Sequence, residues 1–258
     1  MRADVYLAKN GFCESRSRAA ASIEAGAVFV NGKVVTKSAS EINEGDTVEV
    51  RSEVLPYVSR GGFKLAGALE AFSLNVTGAV CADIGASTGG FTDCLLKNGA
   101  KKVYAIENGI GQLHPSLSND SRVVSIEKYN ARNLTADTLG QLCDIAVMDV
   151  SFISQTLLHR GVTEILNNSG LFISLIKPQF EVGKMRLGKG GVVKDPGARA
   201  DAIVTVVNSA QANALILKNI AVSPITGGDG NREYLALFEK NGANALILTR
   251  ELLKSLSK

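Results

Sequence analysis

The sequence predicts an α/β protein: a mostly parallel sheet covered by helices on both faces, preceded by a small α+β unit. Three observations predict it. From Val80 onward, short apolar runs alternate with helical stretches. The glycine-rich stretch Asp83 to Phe91, DIGASTGGF, joins the first of those runs to an apolar-periodic helix, and residues 1–52 carry a separate pattern of two helices and a hairpin. Continuous apolar strands alternating with helices mark a parallel sheet buried on both sides. At 258 residues the chain has room for one such domain and a small appendage.

Taken in order, a short helix is expected around Asp4 to Lys9 and a second from Ser15 to Ala25, with Ser15 as N-cap and Gly26 as the left-handed residue that closes it. Ala27 to Val30 and Lys33 to Val35 flank Asn31-Gly32, the dipeptide suited to a type I′ turn, so they read as a hairpin. Glu49 and Arg51 close the unit with another strand. A linker over residues 53–63 follows, then a helix from Lys64 to Phe72. Strands are expected at Val80 to Ile84, Lys102 to Ile106, Val123 to Ile126, Ile145 to Asp149 and Leu171 to Ile176, with helices between. Asp195-Pro196 marks a further helix start. Leu215 to Val222 and Tyr234 to Phe238, separated by the turn GGDGN, suggest an antiparallel pair at the end of the sheet. Seven strands with such a pair give the Rossmann-like arrangement of a class I methyltransferase over residues 64–243, and residues 244–258 read as a helical tail.

Composition sets limits. The net charge of +3 neither demands nor excludes nucleic acid, but its distribution is uneven. Arg2, Lys9, Arg16, Arg18, Lys33 and Lys37 face three acidic residues, whereas the segment from Glu41 to Glu53 is acidic. That suits a module docking one face on a polyanion, and it equally suits a solvated charge run. Cys13, Cys81, Cys94 and Cys143 form no C-x-x-C pair, no stretch is long and apolar enough to span a bilayer, and the N-terminus has no apolar signal core. A cytoplasmic protein without a membrane partner is expected.

The stretch DIGASTGGF reads as a cofactor loop. Its glycines let the backbone turn and a ligand approach, and the helix start offers free N–H groups. A dinucleotide fingerprint places a second glycine where a pyrophosphate must approach, and in the frame from Gly85 that place holds Ser87, with Gly90 last. A nucleoside without a pyrophosphate, such as S-adenosylmethionine, fits better. Glu107 ends the next apolar run and can accept both ribose hydroxyls. The cofactor candidates are Asp83, Gly85, Ala86, Ser87, Thr88, Gly89, Gly90, Phe91, Glu107, Asn108 and Asn130.

Ligands in open α/β sheets bind outside the carboxyl ends of the strands. Asp149 and Lys177 stand there, Lys64 opens the first helix of the larger domain, and Glu233 enters a late strand. Two lysines and two carboxylates can thus converge beside the cofactor. Alkylating a ribose hydroxyl requires the oxygen to lose its proton, which a neutral lysine can take; a neighbouring ammonium and burial favour that state, and an adjacent carboxylate opposes it. Lys177 is favoured as base, with Lys64 biasing it and Asp149 and Glu233 orienting the amines, though the sequence leaves the choice of lysine open. DVSF after the fourth strand lacks the Asn/Asp-Pro-Pro-aromatic motif of amino-group methylation, and neither Cys143 nor Cys94 is placed as a nucleophile. His114 and His159 lack metal-ligand spacing with the cysteines, so no metal is expected. The glycine-rich basic run around Lys184, Arg186 and Lys189 suits substrate phosphates, or is a solvated loop.

PYVSRGGFKL, DIGASTGGFTDCLL, VMDVSFIS, LIKPQFEVGK, GGVVKDP and GNREY together resemble the TlyA family, described as haemolysin A and as rRNA 2′-O-methyltransferases related to FtsJ. The resemblance covers nearly the whole chain. It implies methyl transfer from S-adenosylmethionine to a cytidine 2′-hydroxyl of ribosomal RNA, in subunits or assembly intermediates, with the family's Lys-Asp-Lys-Glu tetrad on Lys64, Asp149, Lys177 and Glu233. SRSRAAASIEAG followed by VFVNGKVV looks like the small RNA-binding domain of ribosomal and pseudouridine-synthase proteins. The family's arginine-containing linker falls on Val58 to Gly61, which adds Arg60 to Arg2, Lys9, Arg16, Arg18, Lys33 and the 184–189 basic residues as RNA candidates. One departure stands out: members often carry Asp-Val-Gly-Tyr-Gly-Gln-Leu after the second strand, where this chain has Glu107 and, in place of the aromatic, Ile110. Two rival readings are a non-catalytic RNA-binding assembly factor and a membrane-lytic haemolysin, the latter disfavoured by the missing apolar span.

Overall fold

Residues 1–24, 27–35, 37–50, 56–227 and 230–257 are described by a computed structural model. Gly26, Arg51, residues 53–55 of the expected linker and part of the GGDGN turn lie outside them. The chain divides into two units, Met1–Arg60 and Gly61–Lys258.

In the first unit, α1 (Ala3–Lys9) and α2 (Arg16–Glu24) pack with β1 (Val28–Val30), β2 (Lys33–Val34) and β3 (Val48–Val50). Ser15 caps α2, its hydroxyl accepting the Arg18 N–H at 3.2 Å. The three strands are antiparallel in the order β2-β1-β3. Asn31 and Gly32 both take positive φ, 51° and 74°, as a type I′ turn requires. The Asn31 amide also donates to Asp46 at 2.7 Å and accepts from the Thr47 N–H at 2.9 Å, tying the turn to the approach to β3. Ala3, Leu7, Ala19, Ile23, Val28 and Ile42 form this unit's own core.

The second unit opens with α3 (Gly61–Ala71), which starts at Gly61 rather than at Lys64. The sheet domain then runs β4 (Val80–Ile84), α4 (Gly90–Lys97), β5 (Lys102–Ile106), α5 (Pro115–Ser118), β6 (Val123–Ile126), α6 (Ala136–Leu139), β7 (Cys143–Met148), α7 (His159–Ile165), β8 (Leu166–Ile176), α8 (Pro178–Glu181), α9 (Pro196–Ala212), β9 (Leu215–Val222), β10 (Tyr234–Lys240) and α10 (Arg250–Ser257). Strand order is β6-β5-β4-β7-β8-β10-β9. The first five are mutually parallel, and β10 runs antiparallel to both β8 and β9. Every residue of β4 and β5 after the first is buried, as expected of strands covered on both faces. Order reverses at β4, whose neighbours are β5 on one side and β7 on the other, so a crevice opens at the carboxyl ends there.

Three expectations shift in detail. β7 begins at Cys143 and ends at Met148, leaving Asp149 just past the strand. β8 begins at Leu166, because Leu166 pairs with Cys143 before an irregular stretch restores register at Leu171 opposite Ile145. α10 is part of the second unit: Leu256 is buried in the main core, and Leu252 and Leu253 pack against it. His159, fully buried against Phe172, is structural; its Nδ1 lies 2.9 Å from the Ser209 hydroxyl, and burial holds its pKa down at about 4. Among the described residues no helix is long and apolar enough to cross a membrane, and no group of side chains could hold a metal.

Candidate active site

A cleft of about 620 Å³ opens at the crevice beside β4. Its walls come from the loop after β4 (Gly85, Ser87), the end of β5 (Ile106, Glu107, Asn108, Gln112), the turn after β6 (Tyr129, Asn130, Ala131, Arg132) and the segment after β7 (Asp149 to Ile153), with Leu158. Gly85 stands at the centre with φ of +83°, and a Cβ there would lie 2.9 Å from the Asp149 carbonyl oxygen. Close backbone approach therefore demands glycine at this position. Ser87 also adopts a left-handed backbone, φ 49°, although it carries a side chain. Its N–H donates to Glu107 Oε2 at 2.9 Å, and Glu107 Oε1 accepts the Gly109 N–H at 2.9 Å. Glu107 thus fastens the glycine loop to β5 and still has lone pairs for ligand hydroxyls. A pyrophosphate at Ser87 would meet this carboxylate instead of a free N–H group.

The other loop residues sit beneath the cleft. Asp83 is fully buried at the end of β4, where its Oδ2 accepts from the Thr92 N–H at 2.9 Å and hydroxyl at 2.7 Å and so holds the start of α4. Burial pushes the Asp83 carboxyl up to about 7, the Thr92 hydrogen bonds opposing this and the nearby Asp149 adding to it. Ala86, Gly89, Gly90 and Phe91 are buried and Thr88 is half-buried; none of the five lines the cleft. Gly89 has a packing reason of its own, since a Cβ there would fall 2.3 Å from Leu117 Cδ1. Of the expected cofactor residues, Gly85, Ser87, Glu107, Asn108 and Asn130 line the cleft. Gln112, Tyr129, Arg132, Ser151 and Phe152 line it too and are not among the expected cofactor residues, although Ser151 and Phe152 stand in the DVSF stretch and Gln112 in the segment after the second strand. Phe152 stands out in the structure: it is 93% exposed with φ of 64°, and its ring lies 5.3 Å from that of Phe180.

The two lysines are each paired with a carboxylate. Lys177 Nζ lies 2.5 Å from Asp149 Oδ1 as an ion contact and donates a directed hydrogen bond to Ser151 Oγ at 2.8 Å. Lys64 Nζ donates to Glu233 Oε2 at 2.6 Å, and both residues are buried. β8 and β10 pair Ile176 with Tyr234, so continuing the register places Lys177 across from Glu233. The four groups therefore meet at one end of the sheet, two of them on adjacent strand ends. Asp149 N–H donates to the Ile84 carbonyl at 3.1 Å, which fixes its backbone beside the glycine loop. Cys81 and Cys143 stand near the opposite strand ends, and burial pushes both thiols up to about 12, so neither supplies a thiolate. All four cysteines are free.

The expected RNA-facing residues fall into two groups. In the first unit, Arg2 and Arg16 both bind Asp4, at 3.0 and 2.8 Å, and Arg18 donates to the Val58 carbonyl at 2.8 Å. The Arg2 hydrogen bond, with help from Arg16 and against burial, holds the Asp4 carboxyl down at about 2. Lys9 and Lys33 are exposed and Arg60 is half-buried. In the second unit, Lys184 and Lys189 are exposed on the 183–191 turns, while Arg186 is drawn back onto α9 by Asp201 at 2.6 Å. The buried Asn231 amide accepts the Val193 N–H at 2.9 Å and donates to the Gly191 carbonyl at 3.1 Å, anchoring the end of that loop two residues before Glu233.

Comparison with known proteins agrees with this geometry. The FtsJ-like methyltransferase family matches residues 57–240, and the S4 domain matches residues 1–48. Hemolysin A of Brachyspira hyodysenteriae is 45% identical over 239 residues, spanning 92% of this chain and 99% of that protein. The 16S/23S rRNA (cytidine-2′-O)-methyltransferase TlyA of Mycobacterium tuberculosis H37Rv is 42% identical over 234 residues, spanning 90% of this chain and 87% of that one. A solved Streptococcus thermophilus structure, named only provisionally as a hemolysin, is 39% identical with a TM-score of 0.79 and covers 100% of this chain and 94% of its own. With its catalytic domain and the small domain ahead of it both matched, this chain belongs to the FtsJ-like methyltransferase family, in the group that carries an N-terminal S4 domain.

Proposed function

We propose that this protein transfers a methyl group from S-adenosylmethionine to the 2′-hydroxyl of a cytidine in ribosomal RNA, with the N-terminal unit holding the RNA. The observation that carries the reading is the pair of lysine–carboxylate contacts, Lys177 with Asp149 and Lys64 with Glu233, at the strand ends beside the cleft. The cleft's residues fit the cofactor: Glu107 offers lone pairs to ribose hydroxyls, Ile106, Val150, Ile153 and Leu158 give apolar surface, and Gly85 leaves room for close approach. Bound there, the cofactor supplies an electrophilic methyl group. Glu107 and Asp149 put carboxylates on either side of β4, which suits a sulfonium cation, in a cleft that Arg132 also lines.

Lys177 takes the hydroxyl proton. Its ion and hydrogen-bond partners, Asp149 and Ser151, line the cleft, whereas Glu233, the partner of Lys64, does not, which favours Lys177 as the amine nearer the reacting group. It acts as a base only in its neutral form, and Asp149 and Ser151 then hold the amine so that its lone pair faces the hydroxyl. Lys64, held by Glu233, places a second positive charge where it stabilises the developing alkoxide. Holding hydroxyl and methyl in line is worth about 7 to 11 kcal/mol in favourable cases, so positioning carries much of the rate. Phe152, exposed at the cleft, offers a flat apolar face to a base. A cytoplasmic site of action, on ribosomal subunits or their precursors, follows from that substrate and agrees with the four free cysteines.

The test is direct. Purified protein incubated with labelled cofactor and ribosomal subunits or rRNA is expected to label RNA, and mapping is expected to place the label on a cytidine 2′-oxygen. Cofactor binding without transfer to any rRNA would refute the catalytic reading and leave an RNA-binding assembly factor.

A further inference from the structure

Glu181, at the end of α8, lies outside the cleft lining, yet it accepts two hydrogen bonds from the residues that directly follow the cleft wall after β7. The Ser154 hydroxyl donates to its Oε2 at 2.6 Å and the Gln155 N–H to its Oε1 at 3.0 Å. Ser154 and Gln155 directly follow Ile153, the last residue of the wall that begins at Asp149. Three more contacts fasten the same segment to β8 and α8. The buried Gln155 amide donates to the Leu175 carbonyl at 3.3 Å and accepts from the Ser174 hydroxyl, and the Phe152 ring packs on Phe180.

The element on the far side of these contacts carries Lys177. β8 ends at Ile176 and α8 starts at Pro178, so Lys177 is the joint between them. Its ammonium takes its ion contact and its hydrogen bond, Asp149 and Ser151, from the wall, and stands 6.0 Å over the Phe180 ring of α8. How the wall sits against this joint therefore sets the amine against the groups that aim it. Among the described residues no cation pairs with Glu181; its half-buried carboxyl is held by a hydroxyl and a backbone N–H, which offset part of the desolvation cost.

We infer that Glu181 is a positioning residue for the transfer reaction: it staples the wall after β7 to α8 and so fixes Asp149 and Ser151 against Lys177. The inference rests on the proposed methyl transfer. Removing the staple should leave the fold and RNA binding largely intact and disturb alignment, where a displacement of about 1 Å can cost a hundred-fold in rate.

The test uses the full chain with Glu181→Ala and Glu181→Gln, the second retaining an acceptor for Ser154 while offering only one oxygen. Methyl transfer to rRNA is followed from neutral to alkaline pH, and amide hydrogen exchange is followed along the backbone. Expected for Glu181→Ala is a fall in kcat of about ten- to a hundred-fold, with KM for RNA little changed, a displaced rising limb of the pH–rate profile, and faster exchange in residues 150–157 with β4 and β5 still protected. Glu181→Gln should fall between it and the wild type. Wild-type kcat and pH profile in folded variants, or a lower kcat with unchanged exchange in 150–157, would overturn the inference. If Glu181→Ala does not fold, Glu181→Gln decides by the same readouts. An inactive wild-type protein would instead overturn the methyl-transfer reading itself, so the two failures are told apart.

Discussion

At Gly85 the cleft depends on a single missing carbon. An alanine Cβ there would stand 2.9 Å from the Asp149 carbonyl and 3.0 Å from Val150 Cγ1, on a backbone with φ of +83°. Gly85→Ala is expected to cost about 1 to 3 kcal/mol in stability and to weaken cofactor binding, read by thermal unfolding and calorimetric titration. Asp83 gives a pH-dependent test. Its folded pKa, about 7, lies above the ordinary carboxyl value of 3.8, so between those values the folded protein binds the extra proton and stability falls as pH rises. Asp83→Asn keeps an acceptor for Thr92 and cannot ionise. The stability difference, variant minus wild type, should therefore grow between about pH 4 and pH 7 by up to about 1.4 kcal/mol per pH unit. A flat difference would show that Asp83 titrates normally. Asp149, Lys177 and Glu233 are legible as candidates in the sequence because strand ends locate them, and Lys64 because it falls at the opening of a helix. Ser151, Phe152 and Glu181 are not, since their roles come from contacts between the loop after β7 and α8, which no local pattern displays.

At the scale of elements, the apolar runs locate the strands well. β4, β5, β6 and β9 start and stop where the runs do; β4 and β5 are buried on both faces, whereas β6 and β9 are half-exposed edge strands whose apolar runs still mark their ends. α3 begins earlier than its sequence suggests because Gly61 and Gly62 are poor helix formers by propensity, and packing overrides it, Gly62 being buried. β8 is longer than its apolar run because Asn167 to Gly170 looks like a turn and is instead an irregular stretch within the strand. The hairpin is legible from two residues. Gly32 has φ of +74° with nothing within 4 Å of a Cβ, so Gly32→Ala should cost the left-handed strain alone, about 1 to 2 kcal/mol. Urea unfolding followed by a probe in the first unit measures it, and no change would mean that the turn relaxes to another type.

Over the whole molecule, the methyltransferase domain and the S4 domain have separate cores, one built on the seven-stranded sheet and the other on Leu7, Ile23 and Ile42. The uneven charge makes the division visible in the sequence, but not which arginines are already engaged. Arg2 and Arg16 share Asp4, so replacing one leaves the buried carboxylate paired with the other. Arg18 is different, because its bond to the Val58 carbonyl ties α2 to the segment leaving the unit. Arg16→Ala is thus the cleaner probe of a phosphate contact. Removing one cation from the phosphate backbone should reduce the slope of log affinity against log salt by about 0.7 to 0.9, since fewer counterions are released on binding. In the full chain, Arg16→Ala should weaken rRNA binding at low salt, flatten the slope by that amount, and raise KM for RNA while kcat at saturating RNA stays near wild type. Arg18→Ala should show the same slope change with an added drop in stability. A wild-type salt slope in Arg16→Ala would remove that side chain from the RNA interface and confine its role to the ion pair with Asp4.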